Sequence, residues 1–324
     1  MSEAPMIRLV FLDGHYAAAE STSLEELGLA LEPLEGNGLR LSLHKTLDTP
    51  LLLLHRSQGA SIALSQLQLH LAPGVHATVR EHFLPMSVPT GGWQGVTEVV
   101  LEERAHCEYL HLQEPIAGTW EHDVSVLQAA HSTWKAQTFL TGAGSHRVDF
   151  HMEQNGIHAE ATLLGSFLGQ GTQSVHISST AVHAVPETRS RQLVKGVASD
   201  HARCSFRGMV HVLPHAKNAF GKMHNHNLLL DPTAEVQTMP CFQIDHDQVV
   251  CNHGATVGQL RADELFYLQA RGIPRAKSEL LLSRAFIEET TADIIQNPEM
   301  GPAITAYIDQ FFAGRATMTK EATP

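Results

Sequence analysis

The chain has 324 residues, 43% of them hydrophobic and 17% charged, which is typical of a folded protein long enough to bury one large core. Its 22 Lys and Arg against 34 Asp and Glu give a formal charge of -12 without a dense basic cluster, which argues against nucleic acid as a partner. Because no apolar run approaches the roughly 18 residues of a membrane span and the start lacks a secretion signal, we expect a cytoplasmic protein without membrane attachment.

Residues 1–37 are predicted to form an N-terminal arm. The apolar run from Ile7 to Leu12 is followed by Asp13 and Gly14, which indicates a strand and a turn. Residues 23–27 have a weakly helical pattern.

Residues 38–257 are predicted to form the core of the protein from short β-strands. Apolar residues recur at every second position, as at Val148, Phe150 and Met152, and helical periodicity is almost absent. A sandwich usually ends near ~100 residues and a barrel carries regular hairpin turns, whereas a solenoid of stacked strands tolerates irregular corners. The pattern favours a parallel β-solenoid.

Residues 258–324 are predicted to form a helical subdomain. Helices are expected from Asp263 to Gly272, from Ala276 to Ala292 and from Ala303 to Ala313, followed by a frayed tail from Arg315. The third helix carries an apolar stripe, which we expect to pack against protein because its flanks lack the basic face of a membrane-surface helix. The stripe consists of Ile304, Tyr307, Ile308, Phe311 and Phe312.

Histidine is unusually frequent, since its 22 residues equal the Lys and Arg total. Imidazole is a common metal ligand, so a metal-rich protein is one interpretation, and lineage bias with surface histidines is the other. Most of them, including His55, His111 and His122, are scattered without a metal-binding spacing, which favours surface positions. His224 and His226 would share one face of a strand and are a weak metal-site candidate.

Cys251 and His253 lie two residues apart, where the β pattern gives way to helices. On a strand they would stand on one face, roughly 6.6 Å apart, and both suit iron, zinc or cluster iron. A tight site needs three or four donors, so the pair predicts half of a site that other strands or another chain would complete. The alternative is a buried cysteine beside a hydrogen-bonded histidine at a turn. The remaining cysteines show no C-x-x-C spacing, which predicts neither a disulfide framework nor a zinc ribbon.

Known nucleotide-binding and hydrolase motifs are missing from the sequence. It contains no G-x-x-x-x-G-K-[ST] loop and no G-x-S-x-G elbow, so neither ATP hydrolysis nor acyl transfer is expected. Two alternative classes fit a solenoid rich in histidine. One is a His-rich metal-binding protein, and the other is a β-helix enzyme acting on polysaccharides, which would need a secretion signal and a calcium-binding Asp cluster.

Several short motifs from about residue 140 to 290 occur together in one family. They are Cys251-Asn252-His253-Gly254-Ala255-Thr256-Val257-Gly258-Gln259, His183-x-x-Pro186, Ser190-x-Gln192-x-x-Lys195-Gly196, Arg203-x-x-Phe206-x-Gly208 and Leu265-Phe266-Tyr267-Leu268-Gln269-x-Arg271-Gly272-Ile273. With these motifs the chain resembles the SufB/SufD family of the SUF iron–sulfur cluster assembly system. It resembles the SufD branch more than the SufB branch, whose members would have Glu-His-Glu-Ala-Thr from position 252.

This resemblance implies a right-handed parallel β-helix with a C-terminal helical cap. It further implies a non-catalytic scaffold subunit of an ATP-dependent complex, which pairs with a SufB-like subunit through the last β-helix strands. His253, with Cys251 as a secondary donor, would be a ligand to iron or an iron–sulfur cluster, held transiently and shared with SufB rather than bound tightly by the isolated chain. The resemblance does not decide whether the isolated chain forms a homodimer. A SufC-like ATPase would dock on the C-terminal region at Leu265, Phe266, Tyr267, Leu268, Arg271, Gly272 and Ile273.

Overall fold

The computed structural model describes residues 7–21, 28–35, 38–57, 62–84, 91–114, 118–141, 144–297 and 300–321. Residues 23–27, predicted to be weakly helical, lie outside these ranges. Most of the described chain is strand, arranged in two long sheets. Sheet 1 contains β1 (Ile7–Leu12), β2 (His15–Tyr16), β5 (Leu51–Arg56), β7 (His76–Phe83), β9 (His106–Gln113), β11 (Thr133–Thr141), β13 (Glu160–Gly169), β15 (Arg189–Ala198), β17 (Phe220–Leu229) and β19 (Val250–Gly258). Sheet 2 contains β3 (Leu29–Pro33), β4 (Leu39–Leu43), β6 (Ile62–Leu71), β8 (Gly92–Leu101), β10 (Gly118–Gln128), β12 (Gly144–Gln154), β14 (Ser174–His183), β16 (Arg203–Val212) and β18 (Glu235–Ile244).

From β4 onward, consecutive strands alternate between the two sheets, and each pairs in parallel with the strand two places away in the chain. The chain therefore winds as a coil with one strand of each sheet in every turn, which confirms the predicted β-solenoid. We call one such pair of strands a rung. Strand β1 also pairs in parallel with β5, so residues of the predicted N-terminal arm extend sheet 1. The domain limits at 37/38 and 257/258 stay predictions.

The core lies between the sheets, where alternate side chains of every strand point inward. Its largest members are aromatic residues without solvent exposure, among them Trp120, Trp134 and Phe167. This is the physical origin of the apolar period of two in the sequence, because successive side chains of a strand face opposite sides of the sheet.

The corners of the solenoid repeat although the residues in them do not. Arg104, His131, His158, Glu187 and Asn218 all adopt positive φ angles at the corner that enters a strand of sheet 1. They recur at intervals of about 30 residues, within the range of known repeat proteins. Because several residue types occupy this left-handed position, the period is not visible as a sequence repeat.

Three helices follow the solenoid: α1 (Ala262–Gln269), α2 (Arg275–Ile295) and α3 (Gly301–Glu321). The predicted number and order are confirmed, but α3 continues to Glu321, where the sequence predicts a frayed tail from Arg315. Helices α2 and α3 cover part of the outer face of sheet 1. Their side chains form a second core with outward residues of that sheet, such as Phe139. Within the described ranges, no helix has the length and hydropathy needed to span a bilayer.

The predicted stripe of α3 packs against the protein. Ile304, Ile308, Phe311 and Phe312 are buried in this second core. The hydroxyl of Tyr307 donates a hydrogen bond of 2.7 Å to Glu114 at the end of β9. The expectation that the stripe contacts protein is therefore confirmed.

Candidate functional site

The two ends of the solenoid differ. At the N-terminal end, the edge strands are β2 and β3, which pair antiparallel with β1 and β4 and so interrupt the parallel stacking. At the C-terminal end, β18 and β19 are each paired on one side, and no described strand pairs with their outer edges. We call this last rung the open end. Edge strands present unpaired backbone groups that favour pairing with another chain. The open end also exposes four large apolar side chains: Met239, Ile244, Val250 and Val257.

Cys251 and His253 lie on β19, at the open end. Cys251 is opposite Gly221 and His253 is opposite Met223 on β17, and both partners are buried inward-facing residues. The pair therefore faces inward on β19, the last strand of sheet 1. Cys251 is half-buried against the core, whereas His253 is exposed. The imidazole of His253 packs edge-on against Phe242 of β18, with the ring centroids 4.7 Å apart.

The two side chains present different donors to a metal. Partial burial raises the pKa of the Cys251 thiol, so binding of a metal at neutral pH must first displace a proton. His253 is more accessible, which makes it the better placed of the two. In the described ranges no group of three or more His, Cys, Asp or Glu residues is arranged to hold a metal ion. A metal ion bound by this pair would need further donors beyond the described residues to complete its coordination sphere.

The other cysteines are less suited to such a role. Cys107 and Cys204 are buried inside the solenoid, and burial raises the pKa of Cys204 to about 12 and that of Cys107 further. Cys241 lies on the outward face of β18, where its thiol donates to the carbonyl of Met239 at 3.9 Å. All four cysteines are free thiols, in agreement with the absence of a predicted disulfide framework.

His224 and His226 point outward from β17, into a groove beside α2. They share a face as expected, with their rings stacked and the centroids 5.9 Å apart. The pKa of His226 is lowered by partial burial and by the nearby Lys195 and His224. Cationic surroundings oppose the binding of a metal cation. Their assignment as a metal site stays a prediction.

The predicted ATPase-docking residues divide into two groups. Leu265, Leu268 and Ile273 are half-buried. Phe266 and Tyr267 are 71% and 54% exposed, and α1 has no buried residue. The remaining members are exposed as well, with the guanidinium of Arg271 lying 3.9 Å from the centroid of the Tyr267 ring. We call Phe266, Tyr267 and Arg271 the α1 patch.

The expectation that most histidines lie at the surface is wrong for His55, His111 and His122. All three are inside the solenoid with at most 1% exposure, because they occupy inward positions of their strands. They surround Glu81, which accepts hydrogen bonds from His55 at 2.8 Å and from the hydroxyls of Thr97 and Tyr109.

The donor and acceptor of each hydrogen bond in this network can be assigned from the number of protons available. A threonine hydroxyl has one proton, and Thr97 lies 3.2 Å from Glu81 and 3.0 Å from Nε2 of His122. If Thr97 donates to the carboxylate, His122 donates to Thr97 and accepts at Nδ1 from Nε2 of His111, 3.1 Å away. Thr138 then donates to Nδ1 of His111 at 2.8 Å. In this arrangement every hydrogen bond from Thr138 through the two histidines to Thr97 is donated in the direction of Glu81. The rings of His111 and His122 are both neutral.

The pKa values agree with this arrangement. Burial lowers the pKa of His122 to about 4, and it lowers that of His111 well below the usual range. Burial by itself would raise the pKa of Glu81, but His122 and the hydrogen bonds from His55 and Tyr109 lower it to about 2. Glu81 is therefore a buried, ionised carboxylate. The period-two pattern of β7 could have revealed it, since Glu81 follows the inward residues Ala77 and Val79.

A parallel β-solenoid that ends in a Cys-x-His strand and a helical cap is the architecture that the resemblance to the SufB/SufD family implies. Residues 54–286 match the family model described as SUF system FeS cluster assembly, SufBD core domain. The chain belongs to this family, which confirms the resemblance and gives it a role in iron–sulfur cluster assembly. The match begins before residue 140, the approximate start of the segment in which the motifs lie.

Similarity to individual proteins supports the same family. The iron-sulfur cluster assembly protein SufD of Escherichia coli (strain K12) is 29% identical over 96% of this chain and 80% of its own length. The SufBD family protein slr0076 of Synechocystis is 30% identical over 60% of this chain and 43% of its own length. The chloroplastic protein ABCI7 of Arabidopsis thaliana is 32% identical over 60% of this chain and 41% of its own length.

Proposed function

We propose that this chain is a non-catalytic scaffold subunit of a SUF complex. It pairs through its open end with a SufB-like subunit, and it binds a SufC-like ATPase through the C-terminal helices. The observation that carries this proposal is the asymmetry of the solenoid. At the N-terminal end the edge strands β2 and β3 run antiparallel to their neighbours and interrupt the parallel stacking, whereas β18 and β19 end the solenoid as parallel strands of ten and nine residues that carry exposed apolar side chains. Such a surface fits a partner that continues the sheets.

The pair Cys251 and His253 would then lie in the interface with the SufB-like subunit. Iron or a nascent cluster is the cargo, and His253 supplies an imidazole while Cys251 supplies a secondary thiolate. Two donors from one chain and further donors from the other would hold this cargo only within the complex. The isolated chain is therefore expected to bind no iron tightly.

The ATPase contact is assigned to the α1 patch. Exposed aromatic side chains beside an arginine are typical of residues that dominate a protein interface. Phe266, Tyr267 and Arg271 have this character on a helix without a buried residue. A docked ATPase at this helix would act on the scaffold next to its last rung, since α1 begins four residues after β19 ends.

The open-end interface can be tested by co-elution of the full chain with a SufB-like and a SufC-like partner. Val250→Asp places a charge on the edge of β19, where Val250 is 62% exposed. We expect this variant to lose the SufB-like subunit from the complex in size-exclusion chromatography and to retain the SufC-like subunit.

Ile62→Asp is the matched control. Ile62 is 61% exposed but lies on β6, near the N-terminal end of the solenoid. This variant should form the complex like the unmodified chain. Equal loss of the SufB-like subunit in both variants, or in neither, would contradict the assignment of the interface to the open end.

A further inference from the structure

A groove of about 580 Å³ lies between residues of β11, β13, β15 and β17 and Glu289 of α2, on the outer face of sheet 1, whereas Cys251 and His253 face inward. Its polar lining is mainly cationic or imidazole: Lys135, Arg191, Lys222, His224 and His226, with Glu289 as the single acidic residue. A cationic groove stands out in a chain with a formal charge of -12. Strand geometry holds this cluster in place, because four of these residues come from two adjacent strands and Lys135 from a third.

Arg191 and Lys222 are direct neighbours on β15 and β17. Like charges placed opposite each other in a sheet destabilise it, and a carboxylate usually lies near enough to compensate. Within the described ranges neither residue forms an ion pair, although Lys135 and Lys195 beside them both do. The guanidinium of Arg191 instead lies 5.7 Å from the centroid of the Phe220 ring, which leaves its hydrogen-bond donors free of carboxylates.

The outward-facing residues of β17 that follow Lys222 are the histidines His224 and His226. Nε2 of His224 is shielded from solvent and has no hydrogen-bond partner among the described residues. Gly254 lies opposite His224, and a Cβ atom at Gly254 would come within 2.9 Å of Nδ1 of that ring. Glycine at this position therefore leaves room for the imidazole against the sheet.

We propose that this groove binds the phosphate group of a small phosphorylated molecule. Arg191 and Lys222 contact the phosphate oxygens, and the stacked His224 and His226 line the adjoining wall. Arginine recognises phosphate through paired hydrogen bonds and lysine through a point charge, so two adjacent cations suit a dianion. Leu164 and Leu193 supply an apolar wall for the organic part of such a ligand. The volume lies within the usual range of small-molecule sites.

The experiment is isothermal titration calorimetry of the purified full chain with inorganic pyrophosphate, and separately with AMP and with adenosine. It requires no SUF partner, so its outcome is independent of the proposed function. We expect saturable binding of pyrophosphate and AMP, weakening as salt increases, and no binding of adenosine at the same concentration.

The variant Arg191→Gln with Lys222→Gln should weaken pyrophosphate binding at least tenfold. The matched control, Arg40→Gln with Arg203→Gln, removes the same charge from exposed residues that pair with Glu32 and Glu235 on sheet 2. The control should bind like the unmodified chain, and thermal unfolding should show that both variants are folded. Should the double variant unfold, the single variants Arg191→Gln and Lys222→Gln each serve the same comparison.

Three outcomes would overturn the proposal. The first is no saturable binding at about 10 mM pyrophosphate, far above the concentrations at which a specific site fills. The second is equal weakening in the two double variants, which would identify general charge attraction. The third is tight Zn²⁺ binding that requires His224 and His226 while pyrophosphate does not bind, which would identify a metal site instead.

Discussion

Nε2 of His55 lies 2.8 Å from Oε1 of Glu81 in the interior of the solenoid, and both side chains are only 1% exposed. A carboxylate so far from water is costly unless hydrogen bonds replace its hydration. Thr97 and Tyr109 supply two of these bonds and His55 a third. The network joins β5, β7, β8 and β9, and so fixes neighbouring rungs to each other.

Glu81→Ala should therefore destabilise the protein strongly. Removing the carboxylate leaves buried donors on His55, Thr97 and Tyr109 without an acceptor, and loss of one partner from a buried charged network costs about 3–5 kcal/mol. Urea denaturation measures this change. Glu235→Ala is the control, because its ion pair with Arg203 is 3.7 Å long with both side chains more than 70% exposed. That change should cost less than about 1 kcal/mol, and a similar loss in the two variants would contradict the role assigned to Glu81.

Stability should fall as the pH is lowered from 6.5 to 4. Burial lowers the pKa of His122 and of His183 to about 4, from an ordinary value of 6.5. Between these values the unfolded chain binds more protons than the folded protein, so each histidine contributes stability above pH 6.5 and loses it toward pH 4. Each unit of pKa difference corresponds to about 1.4 kcal/mol.

Urea midpoints measured across this pH range test the prediction. His183→Gln should reduce the slope of stability against pH, because Gln does not titrate. A flat pH profile of the unmodified chain would show that the buried histidines do not govern acid stability.

Gly196→Ala should destabilise the solenoid by about 1–3 kcal/mol through overpacking. A Cβ atom at Gly196 would lie 1.9 Å from Cζ of Phe167, a fully buried ring on the adjacent strand. Gly258→Ala is the matched control on β19, since no atom lies within 4 Å of the position of its Cβ. Thermal unfolding of both variants tests this. Equal stability of the two would mean that Phe167 moves aside without cost.

The sequence predicted the class of fold because inward and outward side chains alternate visibly, as at Val148, Phe150 and Met152. It did not reveal the repeat, because residues as different as Arg104 and Glu187 occupy equivalent corners. The interior network escaped prediction for a different reason. Histidine is polar, so the sequence alone does not place His111 and His122 in a core. Their burial depends on partners such as Thr138, which only the coiling of the chain brings near. Cys251 and His253 were found through a motif. Their position at the open end became clear only from the structure, in which β19 is the last strand of sheet 1.

Phe266→Ala should weaken binding of a SufC-like ATPase to the full chain by more than about 1 kcal/mol if the α1 patch is the docking site. The side chain is 71% exposed, so the fold loses little by its removal. Surface plasmon resonance with immobilised ATPase measures the effect. Gln269→Ala, also exposed on α1, is the control and should bind normally. Unchanged affinity of Phe266→Ala would move the docking site away from this helix.

His253→Ala should reduce cluster assembly in the reconstituted complex while leaving the protein folded. The side chain is exposed and its imidazole is nearly perpendicular to the Phe242 ring, with the centroids 4.7 Å apart, so its loss should cost no more than about 1 kcal/mol of stability. If His253 is the donor proposed above, its loss leaves iron under-coordinated, so iron and sulfide content per complex should fall even though the SufC-like subunit still binds.

Cys251→Ser should have the smaller effect if the thiol is a secondary donor, since partial burial raises its pKa. Asn252→Ala is the control for this strand. Asn252 pairs with Lys222 and faces away from the proposed ligand pair, so its removal changes the same edge without removing a donor. A cluster yield in His253→Ala equal to that of the unmodified complex, at unchanged stability, would show that the imidazole is structural. A loss in Asn252→Ala as large as in His253→Ala would instead attribute the effect to the shape of the edge, because both substitutions truncate an exposed side chain of β19 and only His253→Ala removes the proposed ligand.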